Sequence, residues 1–388
     1  MTGVPAQSAI SRIPPGHILL HIGPYKTGST ALQSALFARR EELATHGVAY
    51  PGRWRRPLRP GHALMRWAPR GQKVPPVSVW EDFAADVRAL ADDRGQRVCL
   101  STEDFGRLRR HERSEKIVTD LGGPERVHVV AVARAYHRLL PSHWQERVKS
   151  YETLSYDAWL HEVLEGSDQH RAHRSFWTSH DVERLTSMWL DLIGPDHFTL
   201  VVTDDSDRSL LAGAVEVMLG LPEGLLAGDQ VANASLSRNA VEVLRRINLA
   251  FEGNSWSDGD YRRLVQHGMV RALQAAGRQG EDEGTVPLPP WAQPLVAERS
   301  DRRIEAIRSL GVRVVGDVEC LRPPAALATG TEEPTTISVD AAATAVAGVI
   351  AAALAHADHA GHAGQPRAPG RPPGRRKPVG PAAPETSS

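Results

Sequence analysis

Lysine is scarce in this chain of 388 residues, five against 41 arginines. An arginine therefore says little by its presence alone, whereas a lysine set in a glycine turn says more. Cysteine is scarcer still: Cys99 and Cys320 are the whole complement. Two such residues exclude a disulfide scaffold and the common multi-cysteine zinc modules, and they fit a reducing compartment. Net charge is absent, with 46 basic residues balancing 46 acidic ones. That excludes attraction of the whole protein to nucleic acid or to an anionic membrane, so an anionic ligand has to be met locally. The first sixteen residues hold no continuous apolar run, since Pro, Gln, Ser and Arg interrupt them, and the expected location is cytoplasmic. Elsewhere the one long apolar stretch, Ala341 to Ala355, falls short of the roughly 20 residues of a membrane helix and is mostly Ala. It reads as a surface or partner helix, with no firm membrane span.

What is present is enough apolar sequence, 41% of the chain, for a sizeable core. Composition divides the chain into a flexible arm (1–16), an α/β domain (17–321) and a Pro, Ala, Gly and Thr rich tail (322–388). The tail lacks large apolar residues to offset chain entropy, so it is expected to be mostly disordered. Within the domain HILLHIG (17–23) reads as a strand entering a turn, and Ser29 to Thr45 carries Leu32, Ala35, Leu36 and Leu43 at helical spacing. An amphipathic helix, Trp80 to Asp92, precedes a second strand, RVCLSTEDF (97–105). RVHVVAVA (126–133) is a third, running into a helix from Tyr136 to Glu152. A helix from His180 to Leu192 leads to HFTLVVTDD (197–205), the fourth strand, with helices at Arg208 to Leu219 and Arg238 to Phe251 beyond. Alternation of this kind specifies a P-loop-like parallel sheet flanked by helices, with ligands bound beyond the carboxyl ends of the strands. Lys26, Glu103 and Arg134, each at a strand end, are expected to meet on one rim.

GPYKTGST (23–30) lies between a strand and a helix start, where unpaired backbone N–H groups and the helix dipole favour an anion. Gly23 and Gly28 permit a tight turn, Lys26 supplies a point charge, and Thr27, Ser29 and Thr30 supply hydroxyls. It is not the triphosphatase pattern GxxxxGK[ST], because Lys26 precedes Thr27 and Gly28 instead of following the second glycine. Asp204 keeps open a magnesium-dependent site of the kinase type.

Strand-PYKTGST-helix resembles the 5′-phosphosulfate loop of sulfotransferases, Lys-[Ser/Thr]-Gly-[Ser/Thr]-Thr. A strand ending in Arg134 with Ser142 eight residues on is similar to that family's second element, which holds the 3′-phosphate of 3′-phosphoadenosine 5′-phosphosulfate. The similarity spans about residues 17 to 250, and NASLS (233–237) before a helix resembles the bacterial subgroup. The resemblance implies a sulfotransferase acting on a small-molecule or glycan hydroxyl, with 3′-phosphoadenosine 5′-phosphosulfate (PAPS) as co-substrate and no metal. It implies donor contacts at Tyr25, Lys26, Thr27, Gly28, Ser29, Thr30, Arg134 and Ser142. Lys26 would meet the charge growing on the leaving oxygen, and Glu103 would sit where several branches keep a His or Glu base. Ala31 and Leu32 stand where cytosolic members carry an adenine-contacting Trp, and their Arg-Lys-Gly loop is not seen.

Each assignment has a plain rival. The loop could be an ordinary capped turn, Arg134 an ion-pairing surface residue, and Ser142 a partner for backbone freed by Pro141. Glu103 could begin a turn, with His62 the alternative base. His21 is expected to pack or bond beneath the loop. Arg53 to Arg70, with Trp54 and Trp67, offers an acceptor lip or a solvated loop. HADHAGH (356–362) has His at spacings of three, a weak chelating pattern, and Asn233-Ala234-Ser235 reads as a helix cap. The other classes are a magnesium-dependent kinase and a member that binds nucleotide or partner without chemistry.

Overall fold

The structure, a computed structural model, describes residues 10–69, 72–92, 94–204, 207, 209–227, 236–254, 256–277, 286–325 and 336–363. Six strands, β1 (Ile18–Gly23), β2 (Val48–Ala49), β3 (Arg97–Ser101), β4 (Val127–Arg134), β5 (Phe198–Thr203) and β6 (Arg313–Val315), form one sheet in the order β2-β3-β1-β4-β5-β6. All pairs are parallel, with His21 opposite Ser101 and Arg134 opposite Thr203. From β1 the chain first builds towards β2 and β3, then crosses to β4 on the other side. The order thus reverses at the β1/β4 boundary, where a crevice opens at the carboxyl ends of the strands.

Helices α1 (Ser29–Ala38) and α2 (Arg40–Thr45) follow β1, α3 (Leu58–Met65) and α4 (Ser78–Asp92) lie between β2 and β3, and α5 (His111–Asp120) precedes β4. Between β4 and β5 come α6 (Tyr136–Val148), α7 (Tyr156–Leu164), α8 (Arg171–His180) and α9 (Val182–Ile193). Beyond β5 lie α10 (Leu210–Leu219), α11 (Arg238–Asn254) and α12 (Asp258–Asp260), which continues through a π-helical stretch, Tyr261–Met269, into α13 (Val270–Ala276). Helix α14 (Ala292–Ser309) precedes β6, and α15 (Val339–Ala363) comes last.

Side chains on β1 and β4 alternate between two cores, as the period of a strand requires. Ile18, Leu20, Ile22, Val129 and Ala131 pack with Trp80, Ile117, Trp189 and Ile304 on one face. Leu19, Val130 and Val132 pack with Leu32, Leu36 and Val215 on the other. A third core, around Leu139, Trp159, Phe176, Val241 and Tyr261, joins α6, α7, α8, α11 and the π-helical stretch.

The parallel α/β sheet matches the sequence reading, and two strands are added to it. β2 and β6 have two and three residues, too few to show a period. The expected helix over Ser29 to Thr45 is broken at Arg39, and the one from Tyr136 stops at Val148. The arm is not loose throughout: Ile13 is buried, its N–H donates to Met218 O, and its carbonyl accepts from Arg97 Nε at 2.7 Å.

The stretch read as a surface or partner helix lies within α15, which packs on the π-helical stretch and α13. Alanine is the strongest helix former, and its small side chain lets backbones approach closely. Gly268 and Gly348 meet so tightly that a Cβ on Gly268 would stand 2.6 Å from Gly348 O. Ala345 is buried, while Val346, Ile350 and Leu354 face outward. By length and composition alone, Val339–His356 is also long and apolar enough to cross a membrane, with mean hydropathy 1.6. Asn233-Ala234-Ser235, the side chains of His359 and His362, and the remainder of the tail lie outside the described residues.

Candidate functional site

The turn after β1 is shaped by backbone as much as by side chains. Gly23 has φ 81° and Gly28 φ 95°, the left-handed region that glycine enters without penalty, while Lys26 is held there at φ 69° despite its side chain. Thr27 Oγ1 donates to Pro24 O at 2.7 Å and closes the turn. Gly28 is the N-cap of α1, and no side chain caps that helix. The Ser29 and Thr30 N–H groups are therefore open to a ligand, while Ala31 N–H donates to Gly28 O, and Ser29 Oγ beside them is buried without a partner. Open space lies where a Cβ of residue 28 would project. These features fit a phosphate or sulfate group.

Arg134 spans the β1/β4 crevice. Its Nη1 donates to Lys26 O at 3.0 Å, tying the end of β4 to the loop. Ser142 is half-buried on α6, one residue past Pro141, which the helix accommodates in its interior.

On the other side of β1, Glu103 stands behind the loop. It is 4% exposed, and a Cβ on Gly23 would come within 2.9 Å of its Cγ. Glu103 Oε2 accepts from Gln33 Nε2 at 3.1 Å and from Arg56 Nη1 at 3.0 Å. Both contacts fall on Oε2, which leaves Oε1 as the oxygen able to take a proton. Gln33 also donates to Ser101 Oγ, which lies 2.7 Å from His21 Nδ1. His21 thus sits beneath the loop, as its place in β1 suggests. Burial lowers its imidazole to about 4 although the Glu103 carboxylate pulls it upward, so the ring is neutral at pH 7.

Lys26 Nζ pairs with Glu146 at 2.6 Å, and Lys149 Nζ pairs with the same carboxylate oxygen at 2.6 Å. Burial would raise the Glu146 carboxyl, yet the two lysines draw it down to about 2. Tyr25 is engaged too. Its hydroxyl donates to Asp104 Oδ1 at 2.7 Å, and Arg107 lies 5.6 Å over its ring. Burial and then Asp104 push its phenol upward, so Tyr25 offers a ligand its ring and backbone, not an anion.

The structure brings Lys26, Glu103 and Arg134 to one rim, as expected from the strand ends. His62, on α3, stacks edge-on against Trp67 with centroids 5.1 Å apart, and its neighbour Gly61 faces Asp104 Oδ2. The segment from Arg53 divides: Trp54 and Trp67 are exposed, whereas Arg56 turns inward to Glu103. Burial works against the Arg56 charge, but Glu103, Tyr25 and Asp104 outweigh it and raise its pKa above the ordinary value. Glu146, Gln33, Arg56 and Asp104 are site residues that sequence reasoning did not assign. For Glu146 a signal existed, four residues past Ser142 on the same helix face. Among the described residues no group of three or more His, Cys, Asp and Glu is placed to hold a metal ion.

No family model matches the chain, and no curated protein matches it. Among solved structures, it is similar to the crystal structure of a sulfotransferase from Alicyclobacillus acidocaldarius. The two are 14% identical with a TM-score of 0.34, over 65% of this chain and 99% of that one.

Proposed function

We propose that this protein is a PAPS-dependent sulfotransferase that moves a sulfuryl group to a hydroxyl acceptor. The observation that carries the reading is the meeting of an uncapped helix N-terminus and Lys26 with Arg134 across the switch point, while Glu103 is buried against the same turn. The Ser29 and Thr30 N–H groups, Ser29 Oγ and Lys26 would hold the phosphosulfate, with Thr27 and Gly28 shaping the loop and Tyr25 flanking it. Arg134 and Ser142 would hold the 3′-phosphate.

The acceptor oxygen attacks sulfur, and the bond from sulfur to the bridging oxygen breaks, leaving the 3′,5′-bisphosphate. Glu103 Oε1 takes the acceptor proton, while Arg56 and Gln33 fix the carboxylate through Oε2. Lys26 and the α1 N-terminus meet the negative charge that develops on the bridging oxygen. No step requires a metal. The acceptor class proposed is a carbohydrate, glycolipid or secondary-metabolite hydroxyl, and the proposed location is cytoplasmic.

Calorimetry with the 3′,5′-bisphosphate and with ATP, each with and without magnesium, tests the donor. Metal-independent binding of the bisphosphate is expected. Tight binding of ATP alone, and only with magnesium, would support a kinase instead. Transfer of labelled sulfate to an acceptor from an extract separates an enzyme from a protein that binds without chemistry.

A further inference from the structure

Helix α15 has two unlike sides. Its inner side is seated by small residues: Ala345 is buried, and a Cβ on Gly348 would stand 2.7 Å from that of Ala272. On its outer side Val346, Ile350 and Leu354 follow one another at four-residue steps, one row of a helix, and are 56, 52 and 63% exposed. Between Ala341 and Ala355 the one polar side chain is Thr344, which is half-buried, so the outer side is apolar throughout. A helix that faces water carries polar residues there, and an apolar row in their place marks a face that meets something.

The chain itself cannot supply the cover. Its residues outside the described set hold Met1, Val4, Val231, Leu327 and Val379 as their only large apolar side chains, scattered over five segments. A second copy laid on the same face is too small an interface: between 341 and 355 the helix offers eight exposed apolar residues, against roughly 20–30 a side in a stable complex. Charge points to the occupant. Directly beyond α15, residues 364–384 include Arg367, Arg371, Arg375, Arg376 and Lys377 and no acid, a local excess of cations in a chain without net charge. An apolar face and a run of cations are each weak alone, and together they hold a protein to an anionic bilayer.

We infer that the outer side of α15 docks the protein on a bilayer rich in anionic lipid, with Val346, Ile350 and Leu354 at the boundary between headgroups and acyl chains and the basic segment on the headgroups. The helix lies on the bilayer rather than across it, because its inner side stays packed on the π-helical stretch and α13. The inference rests on α15 and the sequence beyond it and does not depend on the proposed sulfuryl transfer.

The test is flotation of the full chain with vesicles of phosphatidylcholine alone or with about a third phosphatidylglycerol, at low and high salt. Partition onto the anionic vesicles is expected to exceed that onto the neutral ones by about 10-fold or more and to fall as salt rises. Ile350→Ser with Leu354→Ser is expected to lower it about 10-fold or more through lost apolar contact, and Arg375→Ser, Arg376→Ser and Lys377→Ser together to lower it as much through lost charge. If the first pair does not fold, Ala347→Glu puts a charge on the same exposed face and is expected to abolish docking. Val217→Ser, on the exposed side of α10, is the control and is expected to change nothing. No partition onto anionic vesicles, equal partition onto neutral ones, or wild-type partition in either the face or the basic variants would overturn the assignment. So would a dimer in lipid-free sedimentation that Ile350→Ser with Leu354→Ser dissolves, since the face would then belong to a second copy.

Discussion

Glu146 holds Lys26 Nζ at 2.6 Å, on the helix that also carries Ser142. The cation assigned to the transition state is therefore paired before any ligand arrives, and an incoming anion has to share or displace that carboxylate. Glu146→Gln keeps the shape and removes the competing charge. Affinity for the 3′,5′-bisphosphate, measured by calorimetry, is expected to rise by about 3- to 10-fold. Unchanged or weaker affinity would show that Glu146 positions Lys26 rather than restraining it.

Lys26 itself needs two substitutions, because its φ of 69° strains any residue with a Cβ. Lys26→Gly removes the charge and the strain, and Lys26→Ala removes the charge alone. Both are expected to lower turnover far more than bisphosphate affinity, by about 100-fold or more, since the charge Lys26 meets grows in the transition state. Equal losses in turnover and affinity would make Lys26 a ground-state binding residue.

Glu103→Gln preserves the contacts to the 103 side chain in outline but cannot accept a proton. Turnover is expected to fall about 100-fold or more with donor affinity nearly constant, and the acidic limb of the pH profile is expected to vanish. Near-normal turnover in Glu103→Gln, together with an inactive, folded and donor-binding His62→Ala, would transfer the role to His62.

Gly23→Ala tests the contact between loop and base. The added methyl would collide with Glu103 Cγ, and the φ of 81° disfavours it as well. A stability loss of about 1–3 kcal/mol, read from denaturant unfolding, is expected together with reduced turnover. Unchanged stability would mean that the Glu103 side chain moves aside freely.

Stability is expected to fall in acid. His21 and His128 are lowered to about 4 and His143 to about 3, burial being the largest cause in each. These rings are neutral in the fold, so their contribution is complete above about pH 6.5 and is lost as pH drops through those lower values. Glu146 adds a loss between about 4.5 and 2. His128 is remote from the site, its Nε2 lying 2.8 Å from Thr199 Oγ1. His128→Gln is expected to flatten the pH dependence of Tm between 6.5 and 4 without altering turnover at pH 7.5.

Sequence reasoning reached what is local. Strand-glycine-loop-helix is a contiguous pattern, and Glu103 and Arg134 are marked by the ends of apolar runs. Arg56 and Gln33 were not legible because each meets Glu103 across the fold, and in an arginine-rich chain nothing sets Arg56 apart from its neighbours; for Glu146 only its spacing from Ser142 gave a signal, and its pairing with Lys26 did not show. Arg303, whose Nη1 donates to Arg134 O at 2.8 Å, was hidden for the same reason: an arginine on a helix with polar neighbours reads as solvated until the packing shows it buried. Helix α15 was legible as a surface or partner helix, but its seat was not, because its alanines bury little surface individually and the close approach at Gly348 depends on a glycine far away in the chain.

That glycine contact orders the making of the molecule. Gly268 leaves the ribosome well before Gly348, and β6, the last strand, emerges between them. The sheet can therefore be complete while the flank formed by the π-helical stretch and α13 still waits for its cover. A message cut short after β6 would yield a protein with its proposed catalytic rim assembled and an uncovered apolar side, a species recognisable to chaperones by what it has not yet buried.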